Sequence, residues 1–363
     1  MPKKQMNAQE AASLTERSKV FFATFFQRGK GLVKVALTLL LALLMGAIVI
    51  ELSGKDALSA YKVLFNSALG GRNQIANTLN AATPLIFTAV AIALSFRAGV
   101  FNIGIQGSLY LGAFAAAWVG FSLTNVPGVL LIPLCFLAAF IVGGIWCYIP
   151  GVLLARLDVN EVVTTILLNY VAIFFTSYLV IYPFRVPGLA NAMSEMVVEQ
   201  ARLPRFAPPS QLNLSFILAV LTAFTVGFLI SKTTLGFELK STGDNPLFAR
   251  WAGMKVPNII EKIMFLSGAI GGLAGAGQIL GVHYRFIANF SPGYTWDGLA
   301  IALLVRNSPI GALFGALLFG VLRNGTSTMA VYTDVPRDLL NILIATVIFF
   351  SAIEFSLEWF KKG

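Results

Sequence analysis

The sequence predicts an all-α fold, a polytopic transmembrane helical bundle, and three observations support this class. The chain of 363 residues is 57% hydrophobic and only 12% charged, whereas a soluble domain carries about 25% charged residues. Its mean hydropathy is +0.80. Apolar runs of the length needed to cross a bilayer, about 20 residues, recur along the sequence. Lipid is therefore the expected solvent for much of the chain.

The N-terminal segment, residues 1–32, is expected to remain on the cytoplasmic side. Ser13 and Glu16 have the spacing of a capping box. Phenylalanines then cluster between Val20 and Arg28, which is typical of a helix that lies in the membrane interface. An unstructured tail is the alternative. No small-residue cleavage pattern follows, so the segment is not read as a secretory signal.

A transmembrane domain is predicted over residues 33–357, followed by a cytoplasmic tail, 358–363. Ten spans are placed near 33–52, 73–95, 101–122, 127–155, 162–184, 212–231, 263–282, 297–306, 309–323 and 338–357. The eighth and ninth are too short to cross alone. They flank Arg306-Asn307-Ser308-Pro309, so we expect a pair of short or broken helices that meet at a polar tip.

The distribution of Lys and Arg predicts the orientation, because cytoplasmic loops carry an excess of both. Arg97, Arg156 and the basic loop 232–262 are placed in the cytoplasm, and the loop 185–211 is placed outside. Three basic residues between the first two spans are exceptions. The net charge of +10 is assigned to topology and to anionic headgroups of membrane lipid, and no nucleic-acid partner is expected.

Amide side chains inside the predicted spans indicate a candidate translocation pathway. Asn73, Asn77 and Asn80 share one helical face, and an amide facing lipid would remain unpaired at a cost of several kcal/mol. These amides therefore either line a wet cavity or hydrogen-bond to neighbouring helices. The candidate pathway residues are Asn73, Asn77, Asn80, Asn102, Gln106 and Asn169.

A short helix is predicted inside the cytoplasmic loop 232–262. Asn245 is a suitable N-cap, Pro246 suits the first helical position, and Gly253 can adopt the left-handed conformation that ends a helix. A helix of about two turns does not hold in water alone. It is either a docking helix for a partner protein or an amphipathic connector on the lipid surface. The candidate coupling residues are Asn245, Pro246, Leu247, Phe248, Arg250, Trp251 and Gly253.

The sequence offers no catalytic constellation. His283 is the single histidine, and one histidine cannot build a zinc site. Cys135 and Cys147 lie in apolar runs without metal-ligand spacing. No phosphate-binding G-x-x-x-x-G-K-[ST] motif occurs, so we expect neither ATP hydrolysis by this chain nor a cofactor or metal. Few ionisable groups lie deep in the spans, whereas an ion relay needs them; an uncharged or weakly polar substrate and an external energy source are favoured.

Four separated segments resemble motifs of one family of membrane proteins. They are Phe96–Gly104 (FRAGVFNIG), Val159–Tyr170, Thr233–Gly253 and Asp297–Leu304. In this order they resemble motifs of the permease subunits of ABC importers, in the nucleoside-type branch of the ribose and branched-chain amino acid superfamily. The resemblance covers about residues 60–355. Gln106-Gly107-Ser108 departs from the Glu-Gly-Gln common in the family.

The resemblance implies that the chain forms half of the channel of an ATP-driven importer and has a type II-like permease fold of about ten spans. It implies an ATPase with two nucleotide-binding halves, which contacts the loop between the sixth and seventh spans. It also implies a second permease subunit, often a different one, and an extracytoplasmic lipoprotein or periplasmic receptor. The implied location is the bacterial cytoplasmic (inner) membrane.

Nucleosides are the cargo that the resemblance implies, and riboflavin, a sugar or another small solute remain alternatives. Two other function classes stay open on the residues alone. An ion-coupled secondary transporter predicts uptake by this chain alone in an ion gradient. A membrane enzyme predicts a cluster of nucleophile, acid or metal ligands at one membrane face.

Overall fold

The computed structural model describes residues 38, 40–188 and 191–333, together with 338, 341–342, 345–346 and 349–350. Within this part of the chain every regular element is helical, and the only β pairing consists of two isolated bridges. The all-α prediction is therefore confirmed for the described residues. The predicted segments 1–32 and 358–363 lie outside them, and so does most of the predicted tenth span.

The helices are labelled in chain order. They are α1 (Leu40–Leu52), α2 (Ala57–Leu69), α3 (Arg72–Arg97), α4 (Ile105–Ser122), α5 (Gly128–Leu157), α6 (Glu161–Ile181), α7 (Leu214–Lys232), α8 (Thr234–Asp244), α9 (Pro246–Trp251), α10 (Val256–Gln278), α11 (Tyr294–Leu304) and α12 (Pro309–Tyr332). A π-helical turn, Ile279–His283, extends α10. Among the described residues, six helices are long and apolar enough to cross a membrane, namely α3, α5, α6, α7, the extended α10 and α12. The count of ten spans stays a prediction.

Local side-chain caps determine where several helices begin. Asn160 accepts hydrogen bonds from Val162 N at 2.9 Å and Val163 N at 3.1 Å. Ser308 accepts one from Gly311 N at 3.1 Å. These caps satisfy backbone N–H groups that have no partner within the helix, so the starts of α6 and α12 follow from short polar residues just before an apolar run.

Helices α3 and α10 form the centre of the bundle. In their most apolar windows 78% and 83% of the residues are buried, against 28% in α5, α6 and α7. Helix α10 packs against α5, α4 and α3, and α12 packs against α3 and α2. The outer helices α5 to α7 present large apolar side chains such as Leu137, Phe174 and Phe228 outward, where lipid can solvate them.

Small residues allow the helices around α10 to approach closely. The repeat of Ser267, Gly271 and Gly275 predicts such packing. A Cβ added to Gly275 would overlap the carbonyl oxygen of Leu109, and a Cβ on Gly112 would lie 2.5 Å from the Cα of Gly272. Helix α10 therefore packs closely against α4.

The helix pair after α10 differs from the prediction in one respect. Helix α11 has 11 residues and is short, as predicted, but α12 has 24 residues and reaches spanning length. The prediction of a short ninth span, 309–323, is wrong because it treated Arg323 as the end of an apolar run. The guanidinium of Arg323 is paired with Asp297 inside the bundle, so the helix continues to Tyr332.

Candidate coupling surface and translocation pathway

Two short helices, α8 and α9, separate α7 from α10. The sequence predicted α9 but not α8. Thr233 caps α8, with its hydroxyl accepting from Gly236 N at 3.1 Å. A threonine at the end of an apolar run, followed by a polar segment, is the signal that could have located this helix.

Helix α9 has the predicted cap geometry. Asn245 accepts a hydrogen bond from Phe248 N at 2.9 Å, and Pro246 occupies the first turn. Gly253, with φ of +82°, follows the end of the helix in the left-handed conformation that glycine favours. Met254 N then bonds back to Ala249 O at 3.0 Å. The cap and the closing turn together hold a six-residue helix that would not persist alone.

Helix α9 leaves its large apolar side chains uncovered. Leu247, Phe248 and Trp251 are 66%, 60% and 90% exposed, whereas Ala249 is buried against the rest of the chain. We call Leu247, Phe248 and Trp251 the coupling surface. Exposed apolar groups concentrated in this way indicate contact with another molecule. The side chain of Arg250 is also exposed and supplies a positive charge at its edge.

The segment that bears the coupling surface rests on the turn between α3 and α4. A Cβ on Gly243, in α8, would overlap the carbonyl oxygen of Arg97, and one on Gly99 would lie 3.3 Å from the Cα of Gly243. Arg97 Nε in turn donates to Asn307 O, in the turn between α11 and α12, at 3.1 Å. Three separate parts of the chain therefore meet at one end of the bundle.

The candidate pathway residues divide into two groups. Asn73 and Asn77 are exposed at the start of α3, and Asn80 and Gln106 are half-buried. The two buried amides hydrogen-bond within the bundle. Asn102 Nδ2 donates to Ser267 Oγ at 3.0 Å, which links the start of α4 to α10.

Asn169 links α6 to the start of α4. Its Nδ2 donates to Ile103 O at 3.0 Å, and its Oδ1 accepts from Gly107 N at 2.7 Å. The side chain is buried, so both ends of the amide are used by backbone groups. Asn102 and Asn169 thus hydrogen-bond to neighbouring helices, which is one of the two alternatives that the sequence left open for these amides.

The structure contains a buried ion pair that the sequence did not predict. Asp297 and Arg323 pair between α11 and α12, with side-chain exposures of 5% and 15%. The guanidinium also lies 5.1 Å from the centre of the Tyr294 ring. An acid in the first turn of one apolar helix and an arginine within the next apolar helix are the signal that could have predicted the pair, since buried charges need partners.

These features define a polytopic α-helical membrane protein with an uncovered apolar helix at one end. Within the described ranges no group of three or more His, Cys, Asp or Glu side chains is arranged to hold a metal ion. Residues 74–352 match the family described as the branched-chain amino acid transport system, permease component. The chain belongs to this family and is therefore a multi-pass permease of the ABC transporter class.

Three relatives each align with most of this chain, and each alignment also includes most of the relative's own length. The guanosine ABC transporter permease protein NupP of Bacillus subtilis is 35% identical, over 90% of this chain and 96% of its own. The nucleoside ABC transporter permease protein NupB of Lactococcus lactis is 34% identical, over 87% and 89%. The glucose ABC transporter permease protein TsgB13 of Haloferax volcanii is 36% identical, over 90% and 87%. The family resemblance is confirmed, and the named cargoes of the relatives differ.

Proposed function

We propose that this chain is a permease subunit of an ATP-driven importer for nucleosides and forms half of its translocation channel. The observation that supports this most is the similarity to the guanosine permease over 90% of the chain. A sugar importer is the second candidate, because the glucose permease is 36% identical over the same share of the chain. The chain has no phosphate-binding motif for ATP, so the energy comes from a partner.

The proposed assembly has four kinds of subunit. An ATPase with two nucleotide-binding halves binds the coupling surface, and a second, different permease subunit completes the channel. An extracytoplasmic lipoprotein or periplasmic receptor delivers cargo. In the proposed orientation the assembly lies in the bacterial cytoplasmic membrane, with residues 232–262 inside, 185–211 outside, and a type II-like arrangement of about ten spans.

The proposed pathway uses neutral hydrogen-bonding groups. Asn73, Asn77, Asn80 and Gln106 offer amides that both donate and accept, which suits the ring and hydroxyl groups of a nucleoside. Asn102 and Asn169 shape the wall of the pathway by fixing α4 against α10 and α6. Weak contacts orient cargo without trapping it, and the receptor supplies most of the specificity.

Reconstitution of the complete assembly tests this function. The transporter is purified from native membranes through a tag on this chain and placed in liposomes with its receptor. We expect ATP-dependent accumulation of labelled guanosine that excess unlabelled nucleoside abolishes and excess glucose leaves unchanged. The control is the chain alone under a sodium or proton gradient, which should accumulate nothing. Uptake by the chain alone would identify a secondary transporter, and competition by glucose alone would identify a sugar importer.

The receptor is proposed to dock on a basic cluster at the outer end. The guanidinium groups of Arg202 and Arg205 lie 5.1 and 5.4 Å from the centre of the Tyr284 ring, and Arg205 Nε donates to its hydroxyl at 2.9 Å. Such fixed positive charges attract an acidic partner surface. Glu199, whose side chain is 90% exposed, lies beside them.

Charge reversal at this cluster should change receptor binding in a direction set by the sign of the new charge. We expect Arg202→Glu with Arg205→Glu to weaken receptor binding about tenfold, a change of about 1.4 kcal/mol, mainly through slower association. The matched variant Glu199→Lys should speed association. Surface plasmon resonance at two salt concentrations measures both. Equal effects of the two variants would exclude an electrostatic docking site here.

A further inference from the structure

We propose that Arg97 is a positioning residue that transmits movement of the coupling surface to the α11–α12 hairpin. This inference rests on the proposed function, because it requires an ATPase that moves α9. It adds a specific route for that movement inside the chain. The route has three contacts, which join α8 to Arg97, Arg97 to the turn between α11 and α12, and α11 to α12.

The first contact joins α8 to the turn between α3 and α4. Gly243 lies so close to the carbonyl oxygen of Arg97 that there is no room for a Cβ on it. Gly99, whose φ is +74°, lies on the same side and faces the Cα of Gly243. Backbone lies directly on backbone here, and no flexible side chain stands between the two to absorb a displacement. Asn245 N bonds to Ser241 O at 3.0 Å, so α9 is joined to α8 without a loose linker.

The second contact joins Arg97 to the turn between α11 and α12. Arg97 Nε donates to Asn307 O at 3.1 Å. Arg306 and Asn307 both have left-handed backbone, with φ of +54° and +56°, a conformation that non-glycine residues adopt only with support from their surroundings. Among the residues that the structure describes, none hydrogen-bonds to the buried Asn307 Oδ1. The hydrogen bond from Arg97 is therefore part of what holds this turn in place.

The third contact makes the hairpin move as one body. Gly315 brings α12 so close to α11 that a Cβ there would lie 2.8 Å from Ile301. At the far end Asp297 and Arg323 connect the same two helices. When the turn at Asn307 is displaced, α11 and α12 should therefore move together with it. Helix α11 packs directly on α3, so the hairpin shifts against the buried centre of the bundle.

Two conservative changes separate the hydrogen bond from the charge of Arg97. The exposed side chain of Arg97 permits substitution without disturbing the core. Arg97→Met keeps the side chain as far as the position of Nε and removes every donor and the charge, whereas Arg97→Gln places an N–H donor at that position and removes the charge. Gly243→Ala disturbs the first contact and leaves Arg97 intact.

The test uses the complete transporter in liposomes and measures uptake and ATP hydrolysis on the same preparation. For Arg97→Met and Gly243→Ala we expect uptake to fall at least tenfold while ATP hydrolysis stays within about twofold of wild type. Arg97→Gln should recover uptake to within about threefold. The proposal is overturned if Arg97→Met transports normally, if hydrolysis falls together with uptake, or if Arg97→Gln is as inactive as Arg97→Met.

A distance measurement provides a second readout that a merely structural role would not change. Spin labels at Ser327→Cys in α12 and Val129→Cys in α5 use two exposed positions, while Cys135 and Cys147 are buried. Addition of ATP should shift the distance distribution in the otherwise wild-type chain and leave it unshifted with Arg97→Met. An equal shift in both would overturn the route. Failure of wild-type uptake would instead count against the proposed function, so the two failures are distinguishable.

Discussion

Replacing Leu247, Phe248 and Trp251 together by Asp is expected to abolish both ATPase binding and ATP-driven uptake. The three side chains form the coupling surface, and they are exposed in the chain alone, so the bundle itself should fold normally. In the proposed assembly these side chains contact an apolar surface of the ATPase, where an unpaired carboxylate costs several kcal/mol. Three such groups close together should therefore prevent binding at the proposed interface.

Co-purification of the ATPase with a tagged chain measures this effect, and we expect less than about a tenth of the wild-type yield, a change of more than about 1.4 kcal/mol. The matched control carries Leu247→Ile, Phe248→Leu and Trp251→Phe, which preserve apolar character and should retain most binding. Unchanged binding and uptake in the Asp variant would show that this helix is a connector on the lipid surface.

Removing one member of the Asp297–Arg323 pair is expected to destabilise the bundle strongly. Either Asp297→Leu or Arg323→Met leaves an uncompensated buried charge, which costs about 3–5 kcal/mol. Arg323 also loses its contact with the Tyr294 ring, so its substitution should be the more severe of the two. The yield of monodisperse protein in detergent and its thermal unfolding midpoint measure the loss.

The double variant with both substitutions is the decisive comparison. Since it leaves no charge behind, it should recover most of the stability lost by either single variant. Glu199→Gln is the surface control, because it breaks the 3.8 Å pair with the partly exposed Arg202, and exposed pairs contribute about 0–1 kcal/mol. Additive losses in the double variant would mean that the two charges do not stabilise each other.

The part of the structure that could be predicted from sequence depends on interactions between near neighbours. Helix α9 was predicted because Asn245, Pro246 and Gly253 are all within a few residues of the turns they control. The all-α class followed from apolar runs in the same way, and each of the six candidate spans overlaps a predicted one. The missed helix α8 has an equally local cap at Thr233, but few apolar residues follow it with helical spacing.

The features that could not be predicted from the sequence depend on contacts between residues far apart in the chain. The end of α12 was misplaced because Asp297, the partner of Arg323, lies 26 residues earlier in another helix. For the same reason the pattern around Asn102 and Asn169 could not distinguish a wet cavity from hydrogen bonds between helices. Their acceptors and donors, such as Ser267 and Gly107, lie many residues away.

The exposure of the coupling surface, Leu247, Phe248 and Trp251, has a consequence for the synthesis of the subunit. A copy synthesised in excess of the proposed ATPase would leave an indole, a phenyl ring and a leucine side chain uncovered. Chaperones and proteases of the quality-control system select such surfaces on orphan subunits. We therefore expect this chain and the proposed ATPase to be synthesised in balance, because the coupling surface on this six-residue helix would otherwise stay uncovered.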